Sequence, residues 1–438
     1  MSKSVALLLV LVFIAASCLS TVEPAWASSK MQGQTFGVPN DDALTAMVHT
    51  SDGGYALLGT TTSSNSSDKK CLLVKTDVSG KMEWNQTIRL SHQDLLGSLI
   101  QTSDGGYALA GQKDFAIYGE RYSIGGKGLD FWLIKTDEYG KIQWNRTYGG
   151  SAHDGLASLV ATSDGGYALT GYTWSFEPNG FWLVKTDKSG NMEWSQTYGG
   201  DVARELVETS DGGFALAGTA WFGSGTCWLV KTDENGKMQW SSVFGEEDEH
   251  ADWVASLIET SDGGYALAGK STTGYFSTVY SWFIKTDVYG NKEWGQKYTE
   301  GRFGSLIETS DRGFALAGDK LDGNESYNFW LIKTNASGIM EWNQTYGGEA
   351  FDSAISLVET SDGGFALAGV TESFGAGGTD FWLIITDGYG IVPESPSPTS
   401  SPEPLETWSF TTILVIASVV TVAVVGVGSL LYFKKRKR

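Results

Sequence analysis

The chain has 438 residues, of which 41% are hydrophobic and 13% aromatic, and its formal net charge at pH 7 is −20. This length would suit two or three ordinary domains, but a repeat protein escapes that estimate because each repeat is only part of a core. The acidic balance repels phosphate backbones, which excludes nucleic acid as a partner.

The first 27 residues have the features of a signal peptide. Lys3 precedes an apolar run from Val5 to Ala16, and Ala25-Trp26-Ala27 provides a small-x-small cleavage site. We therefore predict that residues 1–27 are removed and that the mature chain is exported. A lipobox that ends at Cys18 is the alternative processing site.

Two signals then recur seven times along the chain. The first is an Asp-Gly-Gly turn, with one Asp-Arg-Gly variant, which begins at Asp52, Asp104, Asp164, Asp211, Asp262, Asp311 and Asp362. The second is an aromatic and aliphatic run that ends in Lys-Thr-Asp or a near variant, as in Phe131–Asp137. Each unit divides into four short strands joined by glycine-containing turns, and helical periodicity is absent. A lone four-stranded sheet cannot bury two apolar faces, so the units must stack as propeller blades.

The seventh unit lacks its fourth strand, because the chain passes from Asp387–Gly390 directly into a proline-rich segment. A matching segment lies near the start of the mature chain, where Gln34–Gly37 resembles Gln344–Gly347. We therefore predict an all-β fold over residues 28–391. It is a seven-bladed β-propeller of four-stranded antiparallel blades, closed by the N-terminal strand.

The order of motifs, YGG-x3-D, then DGGYALAG, then DFWLIKTD-x2-G-x3-W, resembles the SBBP-type β-propeller repeats of archaeal and bacterial surface proteins. The resemblance covers nearly all of residues 32–391. The segment Asp137–Trp144 is also similar to the tryptophan-docking motif of quinoprotein propellers. Both resemblances imply a propeller architecture and leave the activity open, because a fold does not carry a function with it.

The C-terminal part of the sequence predicts a membrane anchor. Residues 392–407 are rich in proline and serine and suit a semi-rigid stalk. Residues 408–433 are uncharged and long enough for a transmembrane helix, and the basic residues 434–438 favour the cytoplasmic side. We therefore predict a single-pass protein of the cell membrane with its ectodomain outside. A sorting signal exchanged for another anchor is the alternative, although no LPxTG or PGF motif is present.

Most of the 17 tryptophans recur at one position of the third or fourth strand, for example Trp132 and Trp144. This regular placement favours packing between blades over ligand stacking. Thr50, Asp52 and Gly54 resemble the Asp box of sialidases, but the arginines fall at unrelated positions in their repeats. The four histidines show no metal-binding spacing. We therefore predict no catalytic residue and no enzyme.

An aspartate precedes the Asp-Gly-Gly turn by ten residues in six units, and in a propeller it would open the innermost strand. These residues are Asp42, Asp94, Asp154, Asp201, Asp252 and Asp352. Together they would place a ring of carboxylates at one mouth of the central channel, which makes calcium a possible cofactor. The alternative is that each aspartate caps its own turn.

The loops between the second and third strands vary in length and carry aromatic residues, which favours ligand binding at that face. The candidates are Phe115, Tyr118, Tyr122, Tyr172, Trp174, Phe176, Trp221, Phe222, Tyr275, Phe276 and Tyr280, followed by Tyr327 and Phe374. The alternative is that these rings fold back over the blades.

Six Asn-x-Ser/Thr sequons predict glycosylation of an exported chain. They begin at Asn65, Asn85, Asn145, Asn324, Asn335 and Asn343. Three of them, Asn85, Asn145 and Asn343, directly follow a fourth-strand tryptophan, and alternation along the strand points them outward.

These observations predict a membrane-anchored cell-surface propeller that binds an extracellular glycan or protein through its loop-rich face. Two alternatives remain. One is an extracellular enzyme, either quinone-dependent or a lyase or hydrolase, and the other is a purely structural component of the cell envelope.

Overall fold

The computed structural model describes residues 33–37, 41–63, 66–91, 94–114, 128–221, 225–245, 251–272, 278–321 and 326–393. These residues form 28 β-strands, with no helix among them. In chain order the strands are β1 (Gln34–Phe36); β2 (Asp42–His49), β3 (Tyr55–Ser63), β4 (Ser66–Thr76), β5 (Met82–Arg89); β6 (Leu95–Gln101), β7 (Tyr107–Asp114), β8 (Leu129–Thr136), β9 (Ile142–Tyr148); β10 (Asp154–Ala161), β11 (Tyr167–Thr173), β12 (Gly180–Thr186), β13 (Met192–Gly199); β14 (Val202–Glu208), β15 (Phe214–Trp221), β16 (Gly225–Thr232), β17 (Met238–Phe244); β18 (Ala251–Glu259), β19 (Tyr265–Thr272), β20 (Thr278–Thr286), β21 (Lys292–Tyr298); β22 (Arg302–Glu308), β23 (Phe314–Leu321), β24 (Tyr327–Thr334), β25 (Met340–Tyr346); and β26 (Asp352–Glu359), β27 (Phe365–Thr371), β28 (Asp380–Thr386).

The strands form seven four-stranded sheets, which we call blades one to seven. Six blades each take four consecutive strands, from β2–β5 to β22–β25, and the seventh has the order β26-β27-β28-β1. The first strand of each blade contacts the first strands of both neighbours, and β26 contacts β2, so the ring is closed. The predicted all-β, seven-bladed architecture is confirmed.

The last blade is completed by the N-terminal strand, as the sequence predicts. In β1, Gln34 pairs with Leu383 and Phe36 pairs with Phe381, both antiparallel. The matching fourth strand of blade six pairs in the same register, with Tyr346 opposite Phe329. Phe36 is buried in a core cluster shared by blades seven and one. The two ends of the propeller are therefore joined by backbone hydrogen bonds and by a common core.

Neighbouring blades are held together by a tryptophan against a glycine. Trp144 of blade two lies over Gly190, in the Asp-x-x-Gly turn of blade three, where an added Cβ would be 2.6 Å from the indole Cζ3. Gly190 has a φ of 74°, and the Tyr148 hydroxyl donates a 2.6 Å hydrogen bond to its carbonyl oxygen. Equivalent contacts join Trp84 to Gly140, Trp194 to Gly236, Trp240 to Gly290, Trp294 to Gly338 and Trp342 to Gly390. The predicted packing role of the tryptophans is thus seen directly.

In each of the first six blades a buried lysine forms hydrogen bonds to both hairpins, which no motif in the sequence indicated. In blade three the Lys185 ammonium donates hydrogen bonds to Asp164 at 2.6 Å, to the Thr186 carbonyl at 3.1 Å and to Glu193 at 2.9 Å. The side chain can be buried because these acceptors satisfy its charge. The equivalent residues are Lys75, Lys135, Lys231, Lys285 and Lys333, whereas blade seven has Ile385 at this position.

The predicted signal peptide, most of the stalk, the transmembrane helix and the basic tail lie outside the described residues, and their assignment stays a prediction. Within the described ranges, no helix has the length and apolar character needed to cross a membrane. At the C-terminal end of the propeller, Val392 packs against the core between blades six and seven.

Removal of the closing strand tests the ring directly. Deletion of residues 28–40 should lower the melting temperature sharply, because blades one and seven would lose both a strand pairing and a shared core. Phe36→Ala alone should cost about 3 kcal/mol. Thr35→Ala, at an exposed position of the same strand, is the control and should change stability by less than about 0.5 kcal/mol. A deletion variant that melts like the parent chain in circular dichroism would show that the strand does not close the ring.

The tryptophan–glycine contact predicts a specific intolerance of side chains. Gly190→Ala should destabilise the protein by about 2–4 kcal/mol, because the methyl group adds overpacking against Trp144 to the strain of a positive φ. Gly165→Ala is the matched control, since Gly165 has a φ of 85° but no atom within 4 Å of an added Cβ. We expect it to cost only about 1 kcal/mol in a thermal melt. Equal losses in the two variants would contradict the contact.

The lysine–aspartate pairs predict a loss of stability in acid. Partial burial raises the pKa of Asp164, but hydrogen bonds from Lys185, Thr162 and the Gly166 N–H outweigh this and lower the pKa to about 2. Because the folded-state pKa is depressed, this stabilisation is complete above the ordinary value of 3.8 and is lost as the pH falls to about 2. The Asp164 side chain is 57% exposed, so each pair contributes modestly.

The measurement is stability against pH for matched variants. Stability should decline between about pH 4, near the ordinary aspartate pKa, and about pH 2, near the lowered pKa of Asp164. Asp164→Asn should make this decline less steep. Asp362→Asn, in the blade that has no lysine, should flatten it less. Identical pH profiles for the two variants would refute the role of the lysine.

Candidate functional site

The two faces of the ring differ. Short Asp-Gly-Gly and Asp-x-x-Gly turns occupy one face, with repeated hydrogen bonds such as Gly165 N–H to Thr162 and Gly190 N–H to Asp187. The connections between second and third strands, and those between blades, lie on the other, which we call the loop-rich face. Six candidate aromatics on that face lie outside the described residues, namely Phe115, Tyr118, Tyr122, Phe222, Tyr275 and Phe276, and only the backbone of Trp221 is described.

Trp174 is the most prominent aromatic residue described on the loop-rich face. Its side chain is 57% exposed. The Tyr172 ring lies 5.5 Å from it, and His153 packs against it edge-on at 5.7 Å. The Trp174 N–H also donates to the His153 carbonyl oxygen at 2.9 Å, which fixes the backbone beneath the ring. A rigidly held, exposed indole flanked by two aromatic rings is suited to contact a ligand.

Other rings on this face turn back onto their blades. Phe176 lies 5.4 Å from Trp182, and Phe374 lies 5.0 Å from Trp382. Both contacts bring an aromatic side chain onto a buried third-strand tryptophan. Phe176 and Phe374 therefore contact their blades, although 41% of the Phe176 side chain stays exposed, and Trp174 is the more exposed of the two rings on its loop.

A comparison of blades three and seven shows that the loop does not require Trp174. The loops share Thr-x-Ser-Phe, and Ser175 and Ser373 make the same hydrogen bonds to the aspartate that begins the first strand. Blade seven has Glu372 in place of Trp174, and its N–H donates to the Phe351 carbonyl at 2.8 Å in the same manner. The same loop conformation thus forms in blade seven without a tryptophan.

Two further candidate aromatic residues, Tyr280 and Tyr327, form cation–π contacts. The Lys297 ammonium is 4.5 Å from the centre of the Tyr280 ring, and the Arg302 guanidinium is 4.3 Å from that of Tyr327. Arg302 also forms an ion pair with Asp319. Both tyrosines are half-buried, so these cation–π contacts hold them in place.

The six aspartates lie at the start of the first strands, as predicted. Asp154 accepts hydrogen bonds from the Gly150 N–H at 2.8 Å and the Ser175 hydroxyl at 2.7 Å. Asp352 repeats the arrangement with Gly348 and Ser373, and Asp94 accepts from the Ser91 N–H and pairs with Lys113. These contacts are those expected of turn capping. No group of three or more His, Cys, Asp or Glu side chains in the described ranges is arranged to hold a metal ion. Calcium binding at Asp42, Asp201, Asp252 or their equivalents stays a prediction.

Charged residues also converge at the inner strands of blades four to six, which sequence reasoning missed. The Arg204 guanidinium lies 4.5 Å from the Trp253 ring centre. Burial, together with repulsion from Arg302 and Arg204, lowers the pKa of Lys270. Burial also raises the pKa of Glu205 to about 8, with an opposing effect from Arg204. The sequence contains one indication of this cluster, because Glu205 departs from the repeat. The equivalent positions in the other blades are alanine or serine.

Of the predicted glycosylation sites, Asn85, Asn145 and Asn343 lie on exposed positions of fourth strands, and Asn335 lies in an Asp-x-x-Gly-type turn. The Asn145 carbonyl oxygen accepts a hydrogen bond from the Trp132 indole at 3.3 Å, and that of Asn343 accepts one from Trp330 at 3.2 Å. A glycan would attach to the amide nitrogen and would leave this oxygen in place. Asn65 and Asn324 lie outside the described residues.

No protein-family profile and no curated protein matches the sequence. Among solved structures, the chain is similar to Kuenenia stuttgartiensis hydrazine synthase, at 9% identity and a TM-score of 0.52 over 82% of this chain and 99% of that chain. It is also similar to the polysaccharide lyase Uly1, at 12% identity and a TM-score of 0.51 over 83% of this chain and 94% of that chain. At such low identity the likeness shows the propeller fold alone.

Proposed function

We propose that this protein is a binding module held at the outer cell surface, where it engages a glycan or protein through the loop-rich face. This proposal rests on the exposure and the backbone contact of Trp174. The side chain of Trp174 is exposed, its backbone is fixed, and the equivalent position in blade seven has a glutamate with the same backbone contact. An exposed tryptophan that the loop conformation does not require is best explained by contact with a partner.

Surface display rests on the sequence segments at the two ends. The leader, the proline-rich stalk and the apolar segment followed by basic residues, all predicted from the sequence, support the proposal that the propeller lies outside a membrane. We also propose that the sequon asparagines on the fourth strands carry glycans, which would shield the exposed outer strands from pairing with other chains.

We propose binding without catalysis, because the described contacts of Trp174 are ring contacts with Tyr172 and His153, which hold the indole in place for a ligand. The raised pKa of Glu205 is the feature that favours the enzyme alternative, since perturbed carboxyl groups are common in active sites.

The test replaces Trp174 with the residue that blade seven uses. Trp174→Glu in the full chain should leave the melting temperature within a few degrees of the parent, because Glu372 already occupies the same loop geometry. It should reduce binding to glycan arrays, or capture of cell-surface proteins, by at least about tenfold, as expected of a central aromatic contact. Glu372→Gln is the control and should retain binding.

The outcomes separate the alternatives. Unchanged binding by the Trp174→Glu variant would refute the proposed site. Consumption of a bound glycan, abolished by Glu205→Gln, would favour an enzyme. Binding on the glycan array would identify a glycan partner, and capture of a cell-surface protein would identify a protein partner.

A further inference from the structure

A cleft of about 600 Å³ lies between blades four and five on the face that carries the Asp-Gly-Gly and Asp-x-x-Gly turns, which we call the turn face. This face is opposite the loop-rich face. Blade four forms one wall with the turn that begins at Asp233 and with the start of β17, and blade five forms the other with Tyr265 and Tyr289. The volume lies in the range of small-molecule sites, about 300–1,000 Å³.

The cleft presents an exposed tyrosine near a fixed tryptophan. Tyr289 is 71% exposed, and its N–H donates a 2.9 Å hydrogen bond to the Asp287 carboxylate, which fixes the turn beneath the ring. Trp240 packs edge-on against Tyr265, with the ring centres 5.6 Å apart. The electron-rich face of an exposed aromatic ring attracts polarised C–H groups, such as those on one side of a sugar ring.

The turn itself does not require the tyrosine. Serine stands at the same position in blades one, three and six and makes the same backbone hydrogen bond, as the Ser189 N–H does to Asp187 at 2.8 Å. An exposed tyrosine that serine can replace in the turn is suited to contact a ligand.

Gln239 adds an amide group to the cleft. At the equivalent position in blades one, three, five and six, a glutamate pairs with the buried lysine, as Glu193 does with Lys185. In blade four the Lys231 ammonium donates to both carboxylate oxygens of Asp211, each at 2.9 Å, and is 3.4 Å from the Gln239 Oε1 atom. The exposed Gln239 amide therefore offers donors as well as an acceptor, whereas an ionised glutamate would only accept.

One junction between blades combines the tyrosine with the amide. At the equivalent positions of the repeat, Tyr139 shares a junction with Glu83, Tyr389 with Glu341, and the second glutamine, Gln143, with Ser189. The two features therefore meet only between blades four and five.

The charges along the cleft nearly balance. Its charged residues are Lys231, Lys237, Asp211, Asp233 and Glu259. The carboxylates are engaged within the protein, since Asp233 accepts from the Lys237 N–H at 2.8 Å and Glu259 accepts from the Ser210 N–H at 2.8 Å. A nearly neutral lining with ring faces and an amide favours an uncharged, hydroxylated ligand over an anion or a cation.

We propose that this cleft binds a neutral oligosaccharide of about two or three sugar units. One sugar ring packs against Tyr289, and its hydroxyl groups form hydrogen bonds to the Gln239 amide. No sequon falls in blades three to five, so glycans of the chain itself would attach to other blades. The cleft lies on the face opposite Trp174, so it is a second binding site and does not rest on the proposed function.

The experiment follows the Met238 methyl group, which lines the cleft, in the full chain labelled with 13C-methyl methionine. Met238→Ile, which introduces the residue that blade two has at this position, assigns the resonance. The probes are maltotriose, cellotriose and mannotriose. We expect a saturable shift of the Met238 methyl with at least one of them, and no shift of Met192 or Met340 at the equivalent positions of blades three and six.

Two results with these probes would overturn the proposal. One is the absence of a Met238 shift with all three, and the other is an equal shift of the three methyl groups. The trimer of glucosamine, which is cationic, should bind no more tightly than the neutral probes, and tighter binding would contradict an uncharged ligand.

Matched variants use residues of the other blades. Tyr289→Ser recreates the turn of blade three, and Gln239→Glu recreates the lysine contacts of that blade, so both should fold. Each should weaken binding of the trisaccharide at least about tenfold. Tyr139→Ser is the control, because it removes an exposed tyrosine from the same turn of blade two, and it should leave the affinity unchanged. Unchanged affinity in Tyr289→Ser or in Gln239→Glu would refute the site.

Discussion

Backbone hydrogen bonds between β1 and β28 join the two ends of the ring, and this closure gives each terminal blade its second neighbour. A four-stranded sheet with two apolar faces needs a neighbour on each side. In a closed ring all seven blades have two neighbours, whereas an open arc would expose one face of each terminal blade. Phe36 shows the coupling at a single residue, because it completes the sheet of blade seven and packs in the core shared with blade one.

Within the ring, the contact of a fourth-strand tryptophan with the turn of the next blade sets the distance and angle between blades. The glycine in that turn meets two requirements at once, a positive φ and the absence of a side chain beneath the indole. Because the same contact recurs at six of the seven junctions, the blades are nearly equivalent as scaffolds, and at the junction of blades seven and one Gln34 and Leu383 contact the turn instead. We therefore expect function to depend on residues that differ from those at the equivalent positions of the other blades. Trp174 in blade three and Glu205 in blade four are such residues.

Much of the fold could be predicted from the sequence. The seven turns, the missing last strand and its match near Gln34 were sufficient for blade number and closure, because each depends on local sequence and on counting. The candidate site was only partly predictable. Trp174 and Phe176 lie two residues apart in one loop and are both exposed, but Phe176 packs against Trp182, whereas Trp174 packs against His153 and Tyr172. No local property of the sequence predicts this difference, since it depends on what packs around the loop. The burial of Lys185 was missed for the same reason, because its acceptors come from two separate hairpins of the blade.

The sequence by itself determined the repeat, the strand pattern within each blade and the closure of the ring, since these follow from periodicity and from turn residues that act over a few positions. Only the tertiary structure decided which side chains meet across blades. It placed Gln239 and Tyr289 in one cleft and brought Arg204 onto Trp253. Such contacts join residues from different strands or blades, and their geometry is set by the packing of whole sheets rather than by any segment of the chain.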